Sequence, residues 1–146
     1  MKKNFYNIGH ESKEVLVDSL SKFVVGIDER ANVEGVILVP YGDRHDISGF
    51  KVGVIYDGDM DHLIVNADRT DLNRARYATG YEFDVLPISL DWYRTKTDSS
   101  SFPAKSMLKS GSVFYDKNGT LASLKEIALA DDSICDYNDR HFVSCK

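Results

Sequence analysis

Two apolar runs constrain this chain more than any other feature: VEGVILV at residues 33–39 and FKVGVIY at residues 50–56. Both are short and rich in β-branched side chains, so both read as buried strands. A strand of that kind needs covering layers. The sequence supplies amphipathic helices for them.

The first helix is expected over residues 12–26, where Leu16, Leu20, Phe23, Val24 and Ile27 recur at three- and four-residue steps. Ser12 reads as its N-cap, with Glu14 in the first turn. Residues 28–32 form a polar break, and residues 40–48 a loop between the two strands. Asp57-Gly58 is a hairpin-type turn signal, after which residues 62–67 can pair back as a short third strand. Thr70 or Asp71 is expected to cap a short helix through Tyr77, stopped by Gly80. Residues 81–88, YEFDVLPI, read as a strand that Pro87 ends or places at an edge. A helical turn follows over residues 91–96. The serines at 99–101 precede a helix with Pro103 in its first turn and Gly111 at its end. Residues 112–115 form a short strand and Asn118-Gly119 a turn. A last helix starts at Thr120, with Leu121, Leu124, Ile127 and Ala128 on one face. Residues 131–146 read as an irregular tail or a partner-binding segment. This order implies one α/β (α+β) domain over residues 1–130, a mixed β-sheet flanked by helices.

A chain of 146 residues suits a single domain. The net charge of −5 argues against binding duplex nucleic acid, where lysine and arginine must neutralise phosphates. No apolar run is long enough to span a bilayer, and the N-terminus has no apolar stretch of the signal-peptide kind, so a cytoplasmic location follows by default. Cys135 and Cys145 then read as free thiols, and with His141 they match no zinc spacing. Asn118-Gly119-Thr120 reads as a turn rather than a glycosylation site.

Two stretches, VILVPYGDRHDISGFKVGVIYDG and YEFDVLPISLDWYRTKTDSSSFPAKSMLKSGSVFYDKNG, resemble the nucleotidyltransferase fold of the DNA polymerase β superfamily in its small stand-alone form. The N-terminal stretch is similar to the family's strand, Gly-Ser turn and second strand bearing an acidic pair. The C-terminal stretch is similar to its third strand with an acid, then a helix ending in glycine before a short strand. The resemblance covers roughly residues 10–130. It implies transfer of a nucleotidyl group from an NTP, with three carboxylates around two Mg²⁺ ions that clamp the attacking and leaving oxygens.

Mapped residue by residue, Gly42 matches the turn glycine, but Asp43 replaces the serine and would repel phosphate. Ser48 resembles the residue before the acidic pair, which then falls on Gly49 and Lys51, while Asp84 matches the third carboxylate. In a second register, Asp59 and Asp61 supply the pair and Asp84 the third acid, and the residue 50–56 strand becomes an insertion. The plain reading of DGDMD is a solvated turn.

Gly42, Asp43, Ser48, Lys51, Arg74 and Arg76 are therefore the candidate nucleotide-binding residues, and Asp59, Asp61 and Asp84 the candidate catalytic and metal-binding ones. Arg69 and Arg76, seven apart, could share a side of a helix and hold phosphates; solvating a helix surface is the alternative. Lys51 could replace a lost metal charge, or guard a strand edge. His45 and His62 read as surface residues, and Trp92 and Tyr93 as core.

The sequence-based expectation is a nucleotidyltransferase-like protein that has lost catalysis and binds a protein partner or an NTP. The alternatives are an active Mg²⁺-dependent enzyme using Asp59, Asp61 and Asp84, and an assembly or inhibitor protein of a virus or mobile element.

Overall fold

The structure is a computed structural model, and it describes residues 10–42, 47–58, 61–95, 104–131 and 134. In chain order its elements are α1 (His10–Asp28), β1 (Val33–Gly42), β2 (Ile47–Tyr56), α2 (Asp61–Val65), α3 (Thr70–Thr79), β3 (Glu82–Ser89), α4 (Leu90–Thr95), α5 (Ala104–Ser110), β4 (Ser112–Asp116) and α6 (Thr120–Ala130). The strands form one mixed sheet in the order β3-β2-β1-β4. β1 pairs antiparallel with β2 and with β4, whereas β2 and β3 run parallel. No helix among the described residues is long and apolar enough to cross a membrane.

Helices cover both faces of the sheet, which is why β1 and β2 are apolar almost throughout. On one face Val52, Val54 and Tyr56 of β2 pack with Leu16, Leu20 and Phe23 of α1, Ile64 of α2 and Leu72 of α3. On the other, Ile37 and Val39 of β1, Ile55 of β2 and Ile88 of β3 pack with Tyr93 of α4, Met107 and Leu108 of α5 and Leu121 of α6. Each fully buried side chain of this size contributes roughly 1.5–3 kcal/mol. Trp92 and Tyr93 belong to this second core, as expected.

Polar contacts lock the layers together. Arg74 of α3 donates to Ser19 Oγ of α1 at 2.9 Å and pairs with Asp18. Asp28, at the end of α1, receives Lys117 Nζ at 2.8 Å and the Tyr115 hydroxyl at 3.4 Å. On the opposite face, Lys125 of α6 reaches the C-terminal turn of α5 and donates to the carbonyls of Leu108, Lys109 and Gly111 at 3.0, 3.1 and 2.6 Å. Burial there pushes its pKa below the ordinary lysine value. Lys109 of α5 returns the contact at the end of α6, donating to the carbonyls of Asp131 and Ile134 at 3.1 and 2.5 Å.

Several local expectations are corrected. Residues 62–67 do not pair back as a strand; most of that stretch is α2. Tyr56 pairs with Val33 at the end of the sheet, and the Asp57 N–H is taken by Asn32 O at 2.8 Å, so the chain leaves the sheet instead of turning. Ile64 then faces the core while Val65 stays exposed, and the Asn66 side chain and Arg69 guanidinium donate to the carbonyls of His62 and Val65, both at 2.9 Å. The hairpin lies instead between β1 and β2, and most of the expected loop at 40–48 is strand: Pro40 pairs with Phe50 and Tyr41 with Gly49. Proline is tolerated at 40 because β4 pairs along β1 only as far as Leu38, so the β4 ladder calls for no N–H at this position. Ser12 lies inside α1, which starts at His10. The start of α3 is held by Asp68, whose Oδ1 accepts the Thr70 N–H and hydroxyl, rather than by Thr70 or Asp71. Gly80 ends α3 at φ +76, as expected. The serines at 99–101, Pro103, Cys135, Cys145, His45 and His141 lie outside the described residues, as does most of the 131–146 segment.

Candidate functional site

The hairpin end of β2, with the start of β3 beside it, carries three of the residues singled out from the sequence, Ser48, Lys51 and Asp84. In the parallel register Lys51 stands directly opposite Asp84, and Gly49 opposite Glu82. Phe83 and Val85 join the α1 core, so Asp84, alternating with them, projects from the other face. There its carboxylate pairs with the Lys51 ammonium. Lys51 Nζ also lies 5.0 Å from the centroid of the Tyr41 ring, within cation–π range. The Lys51 side chain is 23% exposed and that of Asp84 54%. The reverse face at this level is closed by aromatic rings: Phe50 meets Tyr81 edge-on at 5.5 Å and stacks on Phe83 at 5.9 Å.

Gly49 is tightly enclosed. A Cβ at this position would run into the backbone carbonyl of Glu82 and come within 2.9 Å of the Tyr41 hydroxyl. A carboxylate at position 49 therefore has no room, quite apart from the chemistry of the residue now there. The residues here do not fit two Mg²⁺ ions: Asp84 is paired with the Lys51 ammonium, and a side chain at position 49 would clash with the Glu82 carbonyl. Among the described residues, no group of three or more His, Cys, Asp or Glu side chains is placed to hold a metal.

The register that joins Asp59, Asp61 and Asp84 draws no support from the sheet. Asp59 lies outside the described residues; the backbone of Asp61 opens α2. Leu63 and Ile64 of α2 pack on the face that holds Phe83 and Val85, opposite the one from which Asp84 projects. Asp84 is also level with Lys51, five residues before the end of β2 at Tyr56, or about 17 Å along the strand at ~3.3 Å per residue.

The other candidates do not converge on Lys51. Gly42 ends β1 with φ +143, and Asp43 lies outside the described residues. Ser48 alternates with Gly49 and so projects from the opposite face. Arg74 is tied to α1, Arg69 to the last turn of α2, and Arg76 donates through Nε to Glu82 Oε1 at 3.2 Å. The three arginines thus hold three different junctions instead of one anion. His62 is exposed, as expected.

Tyr77 stands out in the structure but not among the residues singled out from the sequence. Expected only as the end of a helix, it is 93% exposed and lines a groove with Asn73, Arg76, Gly80 and Glu82. Its signal was available: in TDLNRARYAT, Leu72, Ala75 and Thr79 mark the buried face of α3, and Tyr77 falls on the other. Compared with known proteins, the chain matches no family model, no curated protein and no solved structure.

Proposed function

We propose that this chain is a nucleotidyltransferase-like binding or regulatory module without catalysis. The observation that carries this reading is the Lys51–Asp84 pair. In the register that the resemblance suggests, Gly49 and Lys51 take the places of the two strand acids and Asp84 that of the third. An ammonium beside Asp84 supplies internally the positive charge that a metal would bring. An enclosed glycine at the remaining position supports the same conclusion. The module would act by binding a protein partner or a nucleotide.

The test is incubation of the purified protein with each labelled NTP and Mg²⁺, alongside thermal unfolding with the same ligands. The reading expects no transfer of label and no stabilisation that depends on Mg²⁺. Transfer by the wild type that Asp84→Asn abolishes would overturn it.

A further inference from the structure

At the C-terminal end of α3 lies a groove of about 590 Å³, lined by Asn73, Arg76, Tyr77, Gly80 and Glu82. Asn73, Tyr77 and Gly80 follow one another at steps of four and three residues, which places them along one side of the helix and its cap. The core takes the other side, through Leu72, Ala75 and Thr79. Tyr77 is 93% exposed, whereas the other exposed large apolar side chains among the described residues run from 52% at Val65 to 67% at Ile127. An aromatic ring this open forgoes nearly all the burial that such a side chain normally gains on folding. Nothing lies within 4 Å of where a Cβ on Gly80 would sit, so the cap leaves the space beside the ring open.

The chemistry of the groove narrows what can occupy it. Arg76 and Glu82 neutralise each other across 3.2 Å, so the walls do not select an ion. A phosphate would also meet the Glu82 carboxylate and the negative end of the α3 dipole. What remains is the face of a phenol ring and the Asn73 carboxamide, which both donates and accepts hydrogen bonds. That combination suits a neutral planar ring with donors and acceptors along its edge.

We propose that this groove binds the base of a nucleoside, stacked on Tyr77 and hydrogen-bonded at its edge by Asn73. The proposal rests on the binding-module reading for its class of ligand. Its residues are distinct from Lys51 and Asp84.

The test uses adenosine, guanosine, cytidine and uridine, none of which carries a phosphate. Each is titrated into the isotope-labelled protein while the Tyr77 ring and Asn73 amide resonances are followed. Saturable ring-current shifts at both residues are expected. Tyr77→Phe should keep the binding, and Tyr77→Ala should weaken it on the order of ten-fold or more. Ile127→Ala, at an exposed position of α6 outside the groove, should leave it unchanged. The high exposure of Tyr77 means that these variants should unfold at the wild-type midpoint, which the same samples check. No shift with any of the nucleosides, or binding that survives Tyr77→Ala, overturns the proposal. Nucleotidyl transfer by the wild type would sink the non-catalytic reading instead and leave the groove standing, so the two failures are distinguishable.

Discussion

Lys51 and Asp84 are direct partners in the parallel register of β2 and β3, and their side chains meet as an ion pair on the same face of the sheet. The Asp84 side chain is more than half exposed, and solvent screens a pair of this kind. A double-mutant cycle of Lys51→Met and Asp84→Asn, read by urea unfolding, should give a coupling below about 1 kcal/mol. A coupling of several kcal/mol would make the pair a fold-stabilising device and remove the ground for reading it as a converted metal site.

Gly49 should resist substitution. Adding even a methyl group drives it against the Glu82 carbonyl, which is strand backbone and cannot rotate away. Gly49→Ala should cost roughly 1–3 kcal/mol in urea unfolding, the range expected for overpacking. The double variant Gly49→Asp with Lys51→Asp, which rewrites the acidic pair, should be less stable still and gain no Mg²⁺-dependent transfer. Full stability in that variant would show that the hairpin end is adaptable after all.

The acid limb of stability should carry a signature of Asp18. Hydrogen bonds from Arg74 and Lys22 hold its carboxyl below the ordinary value of 3.8. A lowered carboxylate pKa stabilises the fold above the unfolded-state value, and the contribution is lost as pH falls through the folded-state value. The difference in urea midpoint between wild type and Asp18→Asn should therefore be constant above about pH 5 and shrink below pH 4. A difference that does not change across that range would exclude the linkage.

The alkaline limb should carry the reverse signature. The hydrogen bond to Asp28 raises the pKa of Lys117 above 10.5, and burial followed by the Asp28 charge raises that of Tyr115 above 10.0. For both groups the folded state holds its proton longer than the unfolded chain does. Their contribution is complete below about pH 10 and declines as pH rises through the folded-state values. Lys125 runs the other way, because burial lowers its pKa and raising the pH relieves that cost. Comparing wild type with Lys117→Met between pH 9 and 12 isolates the first effect, and the two stabilities should converge as pH rises. Parallel curves would count against it.

Asp116 supplies the start of α6. Its two carboxylate oxygens accept the backbone N–H groups of Leu121 and Ala122 at 3.1 and 3.0 Å, while Gly119 makes the turn without a side-chain cap. Asp116→Ala should cost about 1 kcal/mol, as loss of a helix cap commonly does. Asp116→Asn should recover part of that cost. Equal losses in the two variants would mean that the charge, rather than the hydrogen bonds, matters.

Much of this architecture was legible in the sequence. The residue 33–39 and 50–56 runs announced strands because both of their faces are buried, and Gly80 and Gly111 marked real helix ends. α2 was missed because it is five residues long, carries β-branched Ile64 and Val65, and comes after a dipeptide that ordinarily turns a hairpin. The hydrogen bond that overrides that dipeptide runs from the Asp57 N–H to the carbonyl of Asn32, which is remote in sequence. The site shows the same limit. Lys51 and Asp84 could each be singled out, but their pairing depends on a strand register across 33 residues. The arginines looked like one anion-binding set because they are close in sequence, whereas α3 and its flanking turns aim them at different neighbours.

The exchanged lysines of α5 and α6 have a consequence for how the molecule opens. Lys125 of α6 satisfies the carbonyls of Leu108 and Lys109 in the last turn of α5 and that of Gly111 just past it, while Lys109 of α5 holds the chain just past α6 at the Asp131 and Ile134 carbonyls, so each helix anchors the C-terminal end of the other. The two helices should therefore give up amide protection together, as one cooperative unit, although they lie on either side of β4 in the chain. The same exchange moors the backbone at Ile134 beside α5.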